Sequence, residues 1–141
     1  MHISAAGAEK INAKDKFAFY WEYLAYGRPA YSCLLRPTPE KAVEVITASG
    51  GFASLAHPAR IEMSKEGVIS LVKRLKAVGL GGIEGVYTTH TITDTAYYKE
   101  MASAFNLLVT GGSDTHYFGG RQRIGEPAFY VEKPLAEKLK I

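Results

Sequence analysis

The chain has 141 residues, of which 47% are hydrophobic and 22% charged, the composition of a globular domain rather than of a disordered segment. Its net charge of +3 is too weakly basic to indicate nucleic-acid binding, although it suits a phosphorylated ligand. A single cysteine, Cys33, excludes an internal disulfide, and neither a signal-type N-terminus nor a long apolar run is present, so we expect a cytoplasmic protein with a reduced thiol and no membrane contact.

Aromatic residues dominate the first predicted element. Their spacing between residues 14 and 26 predicts a short helix with a wide apolar face, which ends at Gly27. After a connection that contains prolines, Thr38 has the position of an N-cap in a helix predicted to run from Pro39 to Ser49. The inner face of that helix is expected to contain Ala42, Val43, Val45 and Ile46.

From residue 52 onward, short apolar runs alternate with stretches of helical periodicity. The runs predict strands at 52–56, 83–87 and 107–110 with a fourth at 128–131, and the periodic stretches predict a helix capped by Ser64 and helices at 93–105 and 134–140. This alternation, with short links, is typical of parallel βα units. We therefore predict an α/β fold with about four parallel strands and flanking helices, too few strands to close a barrel, which needs about eight.

Polar side chains follow three of the predicted strands. His57 comes directly after the first, His90 follows the second by a short loop, and Asp114 and His116 follow the third. Because the carboxyl ends of parallel strands meet at one edge of a sheet, these side chains are expected to converge there. Asp114 and His116 are two residues apart, so in an extended segment they point the same way and offer ligands that suit zinc, manganese or iron.

Each of these residues also has a structural explanation that the sequence leaves open. His57 precedes a proline and fits a strand-ending histidine bonded to backbone, and His90 fits a capping or exposed side chain. Glu84 suits either a catalytic carboxylate or an ion pair at the strand end. Arg60 and the segment Arg121–Arg123 fit ordinary surface charges, and a nucleic-acid-binding role for that segment is a weaker alternative.

Four segments of the chain resemble the PHP (polymerase and histidinol phosphatase) family. Residues 55–60 (LAHPAR) are similar to its AHPGR motif, and residues 82–90 (GIEGVYTTH) to its GIEVYxxxH segment. Residues 110–116 (TGGSDTH) match its TGGSDxH signature, and residues 23–31 (YLAYGRPAY) resemble YLxxGxPAY, the exit from a helical insertion. The resemblance covers residues 17–126 with the motifs in the family's order.

This resemblance implies a distorted (β/α)7, TIM-like barrel that carries divalent metal ions (manganese, zinc, iron or magnesium) at the ends of its strands. It implies metal ligands at His57, Asp114 and His116, and substrate-phosphate contacts at His90 and Arg60. The related subgroup hydrolyses phosphate esters of nucleotides, including 3′,5′-nucleoside bisphosphates, and the 5′ ends of short nucleic acids. The metals would activate a bridging water and neutralise the phosphoryl oxygens.

The chain departs from the family pattern in its N-terminal half. The expected DxHxH motif, a later Asp-His pair and a bridging Glu are missing, and the only histidine before His57 is His2. We therefore expect a partial barrel, with residues 1–30 a remnant of the helical insertion and residues 31–141 the C-terminal half of the barrel. A truncated gene product, a fragment of a longer protein and a degenerate relative all fit this pattern.

Two functions of different class follow. The first is a metal-dependent phosphoesterase, impaired because ligands are missing and acting on a phosphorylated small molecule, a nucleotide or a short nucleic-acid end. The second is a non-catalytic remnant that binds anions or a partner chain. Since half a barrel leaves strand edges open, we also expect self-association or pairing with a missing N-terminal half.

Overall fold

The computed structural model describes residues 16–31, 36–116 and 123–141. Cys33, Arg121 and His2, singled out in the sequence, lie outside these residues, so the predictions made for them stay untested. The chain forms two compact units, residues 1–36 and residues 37–141.

The described part of the first unit is a short helical segment. Helix α1 (Lys16–Phe19) continues into one wider π-helical stretch, Tyr20–Leu24, and the chain leaves the helix before Gly27, whose φ of 74° is the left-handed conformation that glycine adopts readily. Phe19 is buried and stacks on Tyr23 at 5.3 Å between ring centroids. The predicted helix is therefore present and ends before Gly27 as expected. The π-helical stretch was not predicted.

The second unit contains a parallel sheet and four further helices. Its elements in order are α2 (Pro39–Ala48), β1 (Ser54–Leu55), a 3₁₀ turn (Pro58–Arg60), α3 (Lys65–Ala77), β2 (Gly82–Tyr87), α4 (Ile92–Ala104), β3 (Leu108–Gly112) and α5 (Lys133–Leu139). The three strands pair in the order β1-β2-β3, all parallel. The α/β class and the parallel sheet are confirmed, whereas the assignment of this sheet to a partial TIM-like barrel stays a prediction.

Side-chain caps fix where the helices begin. The hydroxyl of Thr38 accepts a hydrogen bond from the Lys41 amide, as the sequence predicts, and Ser64 does the same for Gly67. Helix α4 has a full capping box, in which Thr91 and Asp94 each accept from the other's backbone N–H. These caps occupy amide groups that have no partner inside the helix.

The hydrophobic core lies between the sheet and helices α3 and α4. Val72 and Ile83 are fully buried, and the apolar residues of α3 and α4 pack around them. Apart from tyrosines, every buried side chain among the described residues is apolar. The 3.6-residue period of α3 therefore directs its apolar face to the sheet, as predicted.

Three sequence predictions are wrong in detail. The first strand is only two residues long and half-buried, because the Ala53 carbonyl accepts from the amides of both Gly81 and Gly82 and regular pairing starts one residue later. On α2 only Val43 is buried, while Val45 and Ile46 are 52% and 41% exposed.

Residues 128–131 form no strand. The ring of Phe129 lies over Gly111, where a Cβ would come within 2.6 Å of it. This segment therefore packs on β3 through a side chain and leaves the described sheet with three strands instead of four. Within the described ranges, no helix is both long and apolar enough to cross a bilayer.

Candidate active site

The hydroxyl group of Tyr87 is the centre of a polar cluster at the carboxyl edge of the sheet. Tyr87 is the last residue of β2, Arg60 ends the 3₁₀ turn after β1, and Asp114 follows β3 by two residues. Arg60 Nη1 donates to Tyr87 Oη at 3.0 Å, and Tyr87 Oη donates to Asp114 Oδ2 at 2.9 Å. Arg60 Nη1 also forms an ion pair with Asp114 Oδ2 at 3.6 Å. Three separate strand ends thus supply one hydrogen-bonded chain.

The Tyr87 hydroxyl is a donor at neutral pH, because the ordinary pKa of tyrosine is 10.0. Only 2% of Tyr87 is exposed, and burial is the main cause that raises this pKa further. The hydrogen bond to Tyr87 in turn raises the pKa of Arg60. Sequence reasoning treated Tyr87 only as a strand residue. Its position as the last residue of β2, at the edge where the predicted site residues converge, was the available signal.

Two residues of the edge have strained backbone. His57 has φ of 30° and Asp114 has φ of 55°, both in the left-handed region that non-glycine residues seldom adopt. Such conformations cost about 1–3 kcal/mol and concentrate at functional sites. The carboxylate of Glu84 stabilises the first of them by accepting a hydrogen bond from the His57 amide at 2.6 Å. Among the described residues Glu84 forms no ion pair, and the catalytic role considered from the sequence stays a prediction.

The glycine pair before Asp114 makes room for neighbours. Gly111 and Gly112 are the last two residues of β3, and a Cβ on Gly112 would lie 3.0 Å from Glu84 Oε1. Together with the Phe129 ring over Gly111, this explains both glycines by close packing of side chains from other segments.

A bulge in β2 places His90 beside Tyr87. Glu84 pairs with Thr110 and Val86 with Gly111, so Gly85 is an extra residue between two regular pairs. The Gly85 carbonyl lies 3.2 Å from His90 Nδ1, and since a carbonyl only accepts, Nδ1 is the protonated nitrogen of the ring. Bulges of this kind redirect side chains next to functional sites.

His90 is enclosed by two tyrosines. Its ring stacks on Tyr98 and meets the Tyr87 ring edge-on, each at 5.3 Å between centroids. Its Nε2 atom is buried and has no hydrogen-bond partner in the part of the chain that the structure describes. A buried polar atom without a partner costs about 1–3 kcal/mol, so this atom indicates a contact that a ligand or water would complete.

The remaining two histidines complete the cluster. The His57 ring lies 5.5 Å from the Tyr87 ring, and His116 Nδ1 lies 2.7 Å from the Asp114 carbonyl oxygen. His116 Nδ1 is 3.7 Å from Asp114 Oδ1, which is beyond hydrogen-bond distance. All five residues predicted as metal ligands or phosphate contacts thus contact Tyr87 or Asp114. Their roles as metal ligands or phosphate contacts stay predictions.

The cluster fits a metal ion in donor type but not in donor number. Imidazole nitrogen and carboxylate oxygen suit zinc, manganese and iron, and a histidine whose other nitrogen donates to a backbone carbonyl, as in His116, is the usual arrangement of a metal ligand. Among the described residues, however, no three His, Cys, Asp or Glu side chains lie close enough together to hold an ion. The described side chains by themselves therefore do not form a complete metal site.

A groove of about 420 Å³ begins next to Asp114. One wall is the end of β3 with Ser113, and the other is the segment 125–130, which includes Phe129 and the exposed ring of Tyr130. The hydroxyl of Thr88 lies within hydrogen-bond distance of the carbonyls of Ser113 and Glu126, at 3.0 and 3.3 Å, and ties the two walls together. The groove thus lies beside the residue that precedes Asp114 in the chain and has two aromatic side chains in one wall.

The names of known proteins that are similar to this chain describe enzymes that act on phosphate esters. The chain is 41% identical over 80 residues to a phosphoribosyl 1,2-cyclic phosphate 1,2-diphosphodiesterase of Eggerthella lenta, covering 57% of this chain and 29% of that protein. It is 31% identical to a 3′,5′-nucleoside bisphosphate phosphatase of Chromobacterium violaceum (82% and 39%) and 31% identical to a 5′-3′ exoribonuclease of Haemophilus influenzae (83% and 43%). The chain therefore spans less than half the length of these relatives. No family model matches it.

Two solved structures share its fold. An amidohydrolase from Chromobacterium violaceum, with bound sulfate and no metal, matches with a TM-score of 0.63 and 30% identity over 79% of this chain and 39% of that one. A protein from Bifidobacterium adolescentis described as a metal-dependent phosphoesterase matches with a TM-score of 0.58 and 26% identity, over 72% of this chain and 36% of that one. The names of these similar proteins point to metal-dependent phosphoester hydrolysis.

Proposed function

We propose that this chain is part of a PHP-type, metal-dependent phosphoesterase and that the cluster around Tyr87 is its phosphate-binding and metal-binding edge. The observation that carries the proposal is the joining of Arg60 to Asp114 through Tyr87, which puts a cation and a carboxylate from different strand ends on one hydroxyl. The names of the similar proteins support the reaction class, and the shared fold supports the placement.

Arg60 is the proposed phosphate ligand. Its side chain is 56% exposed although Nη1 is held by Tyr87, so the other guanidinium donors face solvent. A planar fork of N–H groups matches the oxygens of a phosphoryl group and forms strong, charge-assisted hydrogen bonds. The similar amidohydrolase from Chromobacterium violaceum contains bound sulfate, which has the tetrahedral shape of phosphate, so a protein of this fold binds an anion of that shape.

His90 is the proposed second phosphate contact. Because Nδ1 is committed to the Gly85 carbonyl, Nε2, which is buried and has no hydrogen-bond partner in the described residues, is the nitrogen left for a phosphate oxygen. In the neutral ring this atom is an acceptor, so it donates to a phosphate oxygen only after it takes up a proton.

His57, Asp114 and His116 remain the proposed protein ligands of a divalent metal. Such an ion supplies a nucleophilic water and neutralises charge on the phosphoryl oxygens. Because the described residues supply too few grouped donors and the chain spans less than half of its relatives, we propose that further ligands come from another segment or another chain. The pairing and self-association expected from the sequence stay predictions, which light scattering over a range of concentrations would test.

Nucleotides and phosphorylated small molecules are the proposed substrates. The names of the similar proteins include a nucleoside bisphosphate, a phosphoribosyl cyclic phosphate and RNA, which share a ribose phosphate unit. The groove beside Ser113 offers space for the part of the substrate that lies beyond the phosphate.

A second candidate is the anion-binding module without catalysis. Two observations favour it. The described residues contain no cluster of three possible metal ligands, whereas the hydrogen bond that holds Arg60 to Tyr87 is present. To test it, the chain is mixed with manganese and with the part of a relative that this chain does not cover. Phosphate binding without hydrolysis under these conditions would favour the anion-binding module.

The decisive experiment replaces the matching region of the Chromobacterium violaceum bisphosphate phosphatase by this chain. We expect the chimera to hydrolyse a nucleoside 3′,5′-bisphosphate in the presence of manganese, and the 141-residue chain alone to be a poor catalyst or inactive. Asp114→Ala in the chimera should lower the rate by more than about 100-fold, because a metal partner is lost.

Glu100→Ala is the matched control, since it removes a carboxylate from the exposed surface of α4. It should leave the rate unchanged. A folded chimera that binds manganese but does not hydrolyse the bisphosphate, or one whose turnover survives Asp114→Ala, would contradict the proposal.

A further inference from the structure

We infer that Tyr87 is a positioning residue that keeps Arg60 available for an anion by preventing its close, bidentate pairing with Asp114. The inference rests on the proposed function, in which Arg60 binds phosphate. It concerns Tyr87, to which the sequence motifs assigned no chemical role. It follows from the geometry of the Tyr87 hydroxyl group.

The hydroxyl stands between two groups that would otherwise attract each other fully. Arg60 Nη1 reaches Tyr87 Oη at 3.0 Å but stays 3.6 Å from Asp114 Oδ2, beyond a good hydrogen bond. An arginine and a carboxylate with nothing between them form a bidentate pair, in which two N–H groups bind both oxygens. Here a single Oδ2 atom is used, and it accepts its short hydrogen bond from tyrosine at 2.9 Å.

Tyr87 is itself held rigidly. Its ring is buried and is contacted by the rings of His57 and His90, at 5.5 and 5.3 Å between centroids. Residues from both sides therefore fix the position of the hydroxyl, and a buried side chain in a packed environment cannot swing away when Arg60 or Asp114 moves. The two flexible partners adjust to the tyrosine.

Removal of this one oxygen atom has a definite consequence. In Tyr87→Phe the ring still fills the same space, but Arg60 and Asp114 are free to close into the bidentate pair. The donors that Arg60 presents to solvent are then used by the carboxylate, and an incoming phosphate has to break that pair. Phosphate affinity should fall by about tenfold, the effect of one hydrogen bond to a charged group.

The test is a double-mutant cycle between Tyr87→Phe and Asp114→Asn, measured by calorimetric titration of the metal-free chain with inorganic phosphate. We expect Tyr87→Phe to weaken binding by about tenfold in the wild-type background and by less than about twofold in the Asp114→Asn background, because a neutral amide does not capture Arg60. A tyrosine that merely supports the fold would cause the same loss in both backgrounds, and that result would overturn the inference.

Three further variants keep the outcomes distinct. Tyr97→Phe removes another buried hydroxyl, one without a hydrogen-bond partner in the described residues, and should leave phosphate affinity unchanged. Asp114→Asn alone should raise the affinity by up to about fivefold, the range of a partly exposed ion pair. That variant tests the inference even if Tyr87→Phe fails to fold, because a rise well above fivefold would show that Asp114 captures Arg60 in spite of Tyr87 and would overturn it.

Arg60→Gln separates this inference from the proposed function. If the wild-type chain does not bind phosphate, or binds it equally well after Arg60→Gln, the proposed function fails and the inference fails with it. If Arg60→Gln abolishes binding while Tyr87→Phe binds as tightly as wild type, only the role of Tyr87 is overturned.

Discussion

The helix-covered side of the sheet and its carboxyl edge differ in almost every physical respect. On the helix side, side chains such as Val72, Leu75 and Ile83 are apolar and at most 2% exposed. At the edge, the side chains are polar, two residues have left-handed backbone, and a buried histidine nitrogen lacks a hydrogen-bond partner in the described residues. The first region lowers the free energy of the fold, whereas the second stores strain and unpaired polarity, which is the usual pattern of a functional site.

The largest expected contrast is in stability. Ile83→Ala should lower the free energy of unfolding by about 2–5 kcal/mol, because it leaves a cavity in a fully buried position. Asp114→Asn should lower it by less than about 1 kcal/mol, since the amide oxygen still accepts from Tyr87 and only a partly exposed ion pair is lost. Urea denaturation followed by circular dichroism measures both. Equal losses would show that the edge stabilises the fold as much as the core does.

The strain at His57 gives the next contrast. Its φ of 30° is easily adopted by glycine but not by alanine. His57→Gly should therefore be more stable than His57→Ala by about 1–2 kcal/mol, although both variants lose the same ring. The pair is its own control because only the Cβ atom distinguishes the two. If the alanine variant is equally stable in thermal unfolding, the strain assigned to this position is absent.

The capping box of α4 tests how firmly the helix layer is anchored. Thr91→Ala removes the hydroxyl that accepts from the Asp94 amide at 3.0 Å and should cost about 1 kcal/mol of unfolding free energy. Ser64→Ala, at the corresponding cap of α3, should cost a similar amount. Chemical denaturation of both variants decides the matter. A loss close to that of Ile83→Ala in either one would mean that the cap, rather than the packing, holds the helix in place.

The smallest expected effect depends on pH. Hydrogen bonds from Thr91, first from its side chain and then from its backbone, lower the pKa of Asp94 below its ordinary value of 3.8. A lowered pKa in the folded state stabilises the protein above the ordinary value, and that stability is lost as the pH falls through the lowered pKa. The gap in unfolding free energy between wild type and Asp94→Asn should thus be below about 1 kcal/mol at neutral pH and shrink below pH 3.8. A gap that widens in acid would contradict this assignment.

The sequence predicted the helices better than the strands. The helix stretches at 93–105 and 134–140 match α4 and α5 to within one residue, because caps and the 3.6-residue period are local signals. The strands at 52–56 and 128–131 were wrong in length or existence. An apolar run fits a strand or a packed loop equally well, and the choice depends on neighbours far away in the chain, such as Gly82 for the first segment and Gly111 for the second.

The sequence by itself determined the α/β class, the helix boundaries and the residues that meet at one edge, because each follows from local period, caps and the rule that parallel strand ends converge. Only the tertiary structure decided that Tyr87 joins Arg60 to Asp114 and that Glu84 holds the His57 amide. In each of these hydrogen bonds the two partners are 27 residues apart, so no local pattern records it. Such contacts depend on strand register and on the bulge at Gly85, which the packing of the whole sheet sets.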